Sequence, residues 1–152
     1  MTTVARKYPY WPAWNGGKTQ PITAKAVELL GKRWGMKNLG TYVNRPMRDK
    51  PDLSVHATGY AADLSYKDEA QAREIWDYLL KYSAELGVCE LHWYKFGEFG
   101  AGYRCSRGEG KAGVKVYKNR GESAGVGGQW LHLELAEQDP TEWEAFFRAH
   151  KD

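Results

Sequence analysis

The sequence predicts an α+β protein, a single domain built on a mostly antiparallel sheet flanked by helices. Three observations carry that expectation. At 152 residues the chain has the length of one domain and can bury a core without staples. Its apolar residues recur at helical spacing in three segments and gather into strand-length runs elsewhere. Glycine-rich stretches at 97–113 and 122–128, rather than further helices, divide the later strand-length runs.

The elements follow in order. The first 20 residues, rich in aromatics and turn formers (YPYWPAWNGG), form an irregular arm, and residues 21–152 form the domain. Ala26, Val27, Leu30 and Trp34 share one face of a helix over 23–34, and Gly35 ends it. A short strand is expected at 39–44, followed by the polar loop RPMRDKPDL and then a strand at 60–66. The clearest helix covers 67–86, with Ala72, Ile75, Trp76, Leu79, Leu80 and Tyr82 on its apolar side and Gly87 after it. Strands are expected at 88–94, 114–117 and 129–135. Asp139-Pro140-Thr141-Glu142 is a helix-start signature, and Trp143, Phe146 and Phe147 give that last helix its buried side.

Composition narrows the function classes. There are 22 basic and 19 acidic residues, a balance too even to argue for nucleic acid. Seven Trp, ten Tyr and four Phe suit a core or a groove that grips sugars, peptides or bases. No stretch reaches transmembrane length, and the N-terminus lacks the apolar segment of a signal peptide. The expectation is synthesis in the cytoplasm, with any action outside requiring release. Two cysteines, Cys89 and Cys105, are too few for a disulfide framework and form no Cys-x-x-Cys pair.

Four histidines occur, at 56, 92, 132 and 150. His150 is close to the C-terminus, and His92, in CELHWY, is expected to be structural. His56 and His132 each lie at a strand edge beside a glycine-containing turn, where loops deliver side chains to a cleft. Asp63 stands within the otherwise apolar strand YAADLSY, where an unpaired carboxylate is costly. A divalent cation held by two imidazoles and a carboxylate offsets that cost and leaves a fourth position open. A turn cap or a lysine partner for Asp63 accounts for the same spacing.

The stretch Ser54-x-His56-x-x-Gly59-x-Ala61-x-Asp63 resembles the SxHxxGxAxD motif of the D-alanyl-D-alanine carboxypeptidase group of zinc metallopeptidases. That group includes D-Ala-D-Ala dipeptidases, phage endolysins that cut the L-alanyl-D-glutamate bond, extensin-like domains and, more distantly, the hedgehog signalling domain. Trp130-Leu131-His132-Leu133-Glu134 is similar to the group's late segment, and TYVNRPM to its upstream arginine pattern. The resemblance implies the group's zinc-peptidase fold, with one zinc per chain on His56, Asp63 and His132. It implies that Arg45 contacts a substrate carboxylate or carbonyl, with Arg48 as its nearby substitute, and that Ser54 touches the substrate or braces the loop. Gly59 would let the chain turn between two ligands. The implied activity is hydrolysis of peptidoglycan stem peptides containing D-amino acids, by a monomer that binds neither nucleic acid nor membrane, as in phage lysis.

One position departs from the family pattern. The family's general base lies three residues before the last histidine, and here Gln129 occupies that position. Glutamine cannot take up a proton at neutral pH. Glu134 shares a strand face with His132, so it either substitutes as base or orients the histidine ring. Two functions follow: a zinc peptidase, or a non-catalytic zinc-binding relative that binds peptide or protein. On the family pattern, Gln129→Glu is expected to raise turnover by about 10²-fold.

Overall fold

The computed structural model describes residues 19–41, 59–119 and 128–151. Within them lie three helices and one six-stranded sheet: α1 (Pro21–Trp34), β1 (Asn38–Gly40), β2 (Ala61–Ser65), α2 (Glu69–Lys81), β3 (Val88–Trp93), β4 (Ala101–Arg104), β5 (Val114–Val116), β6 (Trp130–Leu135) and α3 (Pro140–Ala149). The strand order is β1-β2-β6-β3-β4-β5, and every pairing is antiparallel. The protein is thus a single-domain α+β protein. No helix among the described residues is long and apolar enough to cross a membrane.

Local chemistry explains the helix ends. Pro21 starts α1, where its missing N–H costs nothing, and Gly35 ends it at φ 69°. The Asp68 carboxylate accepts from the Gln71 N–H at the start of α2. Asp139 caps α3 in the same way, through the N–H of Thr141. The helix expected at 67–86 is shorter than its apolar pattern. It stops at Lys81, and residues 82–87 turn the chain through Gly87 at φ 61° into β3. Within 97–113, where no strand was expected, β4 forms and is followed by two short 3₁₀ turns, Cys105–Arg107 and Gly110–Gly113. The strand expected at 39–44 is present as β1, and its later residues lie outside the described segments.

The two sheet faces differ because side chains alternate along each strand. Leu64 of β2, Leu91 and Trp93 of β3, and Leu131, Leu133 and Leu135 of β6 point to one side. There they share a core with Ile22, Ala26 and Leu30 of α1, Ile75 and Leu79 of α2, and Trp143 and Phe147 of α3. Each fully buried leucine contributes about 1.5–3 kcal/mol. Around the helix ends, the Arg33 guanidinium lies 4.5 Å from the Tyr78 ring and donates to the His150 carbonyl at 2.7 Å. That contact ties α1 to the C-terminal end of α3.

Sheet topology positions the site. β6 comes last in sequence but lies between β2 and β3. Leu131, His132, Leu133 and Glu134 of β6 therefore each have two cross-strand neighbours drawn from distant parts of the chain.

Candidate metal centre

The face of the sheet opposite the helices carries a polar row. Asp63 of β2 pairs with His132 of β6, and His132 pairs with His92 of β3. One step along, Glu134 of β6 pairs with Glu90 of β3, which in turn pairs with Arg104 of β4. The sequences Glu90-Leu91-His92 and His132-Leu133-Glu134 run in opposite directions, so antiparallel pairing sets histidine against histidine and glutamate against glutamate.

Asp63 Oδ1 and His132 Nδ1 are 2.8 Å apart, and the other ring nitrogen, Nε2, lies 2.9 Å from Glu134 Oε2. A carboxylate on each nitrogen favours the doubly protonated ring. Burial opposes the charge, but the hydrogen bonds to Asp63 and Glu134 outweigh it and raise the His132 pKa to about 9. His92 is the opposite case. Burial, reinforced by the nearby His132 charge, pushes its pKa down to about 3, so its ring stays neutral. Its Nε2 lies 2.7 Å from Glu90 Oε1, and its Nδ1 lies 3.2 Å from the Tyr117 hydroxyl.

That pairing depends on Gly102, the cross-strand neighbour of His92 on β4. A Cβ at Gly102 would collide with the Tyr117 hydroxyl and come within 2.5 Å of His92 Nδ1. Glycine leaves the space in which the histidine and tyrosine meet.

The residues expected to hold zinc or contact substrate divide into two groups. Asp63 and His132 are brought together by direct strand pairing. His56, Arg45 and Ser54 lie outside the described residues. The described end of the motif is fixed firmly: Gly59 has φ 79°, and its carbonyl accepts from the Thr23 hydroxyl at 2.7 Å and from the Gln20 N–H at 3.1 Å. α1 thereby anchors the chain just before β2. The donor chemistry at Asp63 and His132 suits zinc. A carboxylate oxygen and an imidazole Nδ1 face each other at hydrogen-bond distance, and the other ring nitrogen is held by a carboxylate, as in ligating histidines. The pair reaches the surface, with the Asp63 side chain 26% exposed and that of His132 12% exposed.

Gln129 is exposed, and its side-chain amide is engaged. Its amide donates to the Tyr66 carbonyl at 3.0 Å and to the Lys67 carbonyl at 2.7 Å. Those bonds clasp the end of β2 to the start of β6, where the Tyr66 N–H also donates to the Gln129 carbonyl at 3.3 Å. Glu134 is engaged with the ring of His132.

The sequence motifs do not single out Glu90, and they leave His92 with a structural role only. With Glu134 they form a buried group whose donor atoms all lie within 4.8 Å of one another, a geometry that could hold a metal ion. The available signal was the reversed pair ELH and HLE on two predicted strands.

Comparison with protein families, with characterised proteins and with solved structures returns no match for this chain.

Proposed function

We propose that the protein is a zinc-dependent peptidase acting on peptidoglycan stem peptides, with the zinc-peptidase fold of the D-alanyl-D-alanine carboxypeptidase group. The observation that carries this reading is the 2.8 Å approach of Asp63 Oδ1 and His132 Nδ1 across β2 and β6. These residues are 69 apart in sequence, and they are the two described members of the ligand set that the motifs imply.

Zinc held there with His56 would supply a Lewis acid and a water of lowered pKa. Asp63 and His132 would each present one donor atom, and Glu134 would keep the Nε2–H of His132 in place so that Nδ1 faces the metal. Arg45 would bind a carboxylate or carbonyl of the peptide, a role suited to its planar fork. The protein would act on the cell wall, as in phage lysis.

One observation favours a second reading, a zinc-binding relative that recognises stem peptides without cutting them. Hydrolysis needs a group that takes a proton from the attacking water. Gln129 spends its amide on two carbonyls and Glu134 is bound to His132, so neither is placed for that duty.

Digestion of purified peptidoglycan separates the readings. The peptidase releases new amino termini with zinc present, and His132→Ala abolishes the release. Zinc-dependent muropeptide binding with no new termini would establish the second reading, and neither binding nor cleavage would refute both.

A further inference from the structure

We propose a second cation site, formed by Glu90, His92 and Glu134 and distinct from the Asp63–His132 pair. The inference does not depend on peptidase activity.

The first support is electrostatic. Glu90 and Glu134 are directly opposed on β3 and β6, and each is only 5% exposed. Two ionised carboxylates at that distance repel each other, and burial adds the cost of removing each from water. The neighbouring cationic groups are set to either side. Arg104 Nε lies 3.6 Å from Glu90 Oε1 on a half-exposed side chain, and the His132 ring is bound to Glu134 Oε2. A divalent cation between the two carboxylates balances both charges at once.

The second support is the donor set. Two carboxylate oxygens and one imidazole nitrogen suit zinc or manganese, and the donor atoms lie within 4.8 Å of one another. His92 is 4% exposed, and its Nε2 lies 2.7 Å from Glu90 Oε1, inside the donor group. Its Nε2 faces Glu90 and its Nδ1 faces Tyr117, so metal at Nε2 moves the ring proton to Nδ1, where it donates to the Tyr117 oxygen. The second-sphere partner that a ligating histidine needs is therefore already present.

The third support is the link between the sites. Glu134 belongs to the Glu-His-Glu group and also accepts from His132 Nε2. The two sites therefore share one carboxylate.

The test is zinc stoichiometry of the full chain, by native mass spectrometry and metal analysis after dialysis, for wild type, Asp63→Asn and His92→Gln. The expected result is two zinc ions in wild type, one in Asp63→Asn and one in His92→Gln. Near-ultraviolet circular dichroism checks folding, and the isosteric Glu90→Gln replaces His92→Gln if the latter does not fold. A single wild-type zinc that survives His92→Gln and is lost in Asp63→Asn would overturn the second site and leave the peptidase centre standing. A single zinc with the reverse pattern would support the buried site and remove the Asp63–His132 centre. Loss of all zinc in both variants would mean one shared cation and would overturn the proposal, as would no zinc in wild type.

Discussion

Asp63 and His132, on adjacent antiparallel strands, face each other with Oδ1 and Nδ1 2.8 Å apart. Strand pairing sets that relationship, so it is as rigid as the sheet centre. β6 is flanked on both sides, and Leu131 and Leu133, which alternate with His132, are each 1% exposed. A donor pair on such a base loses little freedom when it binds a cation.

The structure changes what substitution of Gln129 should do. Gln129→Glu replaces a double amide donor with a carboxylate beside the carbonyls of Tyr66 and Lys67. Two hydrogen bonds are lost and acceptor faces acceptor. The variant should lose about 1–3 kcal/mol of stability by denaturant unfolding and gain no hydrolytic rate. A rise of about 10²-fold in turnover would show that this position can act as the base after all.

Gly102→Ala tests whether the His92–Tyr117 contact is tightly built. The added methyl meets both partners, and neither can withdraw freely because His92 and Tyr117 are buried. Overpacking of this kind costs about 1–3 kcal/mol, read as a lower urea midpoint. An unchanged midpoint would mean that this face is looser than described.

Thr23→Val removes the hydroxyl that donates to the Gly59 carbonyl while keeping the side-chain shape. Thr23 is fully buried, so about 1 kcal/mol of stability should go. Amide exchange at the start of β2 should quicken more than at α3. Uniform quickening would argue that the bond does not anchor the motif locally.

The metal-free protein should be most stable near pH 6.5. His132 has its pKa raised from 6.5 to about 9, so its contribution is complete below pH 6.5 and is lost as pH rises through about 9. His92 has its pKa lowered to about 3, so its contribution is present above pH 6.5 and declines as pH falls below it. Urea midpoints of chelator-treated protein between about pH 5 and pH 9 should therefore pass through a maximum. Stability that climbs steadily toward pH 9 would contradict a charged His132.

Much of the architecture was legible in the sequence, for reasons that also mark its limits. α1 and α3 follow from apolar periodicity and from the cap residues Gly35 and Asp139, because helices are made of local contacts. The α2 pattern ran past Lys81 since Tyr82 and Leu86 stay apolar after the helix stops, packing from a turn instead. β4 escaped notice because it is four residues long with Gly102 inside it, where the requirement is space for His92 rather than strand propensity. The pairing of Asp63 with His132 was expected from motifs, whereas His92 was read as structural. Strand order is non-local, and nothing in the CELHWY stretch alone reveals that β6 lies beside it.

Histidine side-chain ¹⁵N NMR during zinc titration tests the central claim most directly. The account predicts that at saturation the Nδ1 of His132 moves to the shift of a metal-bound nitrogen while Nε2 keeps its proton on Glu134. A His132 ring that stays doubly protonated beside Asp63 at saturating zinc would contradict it.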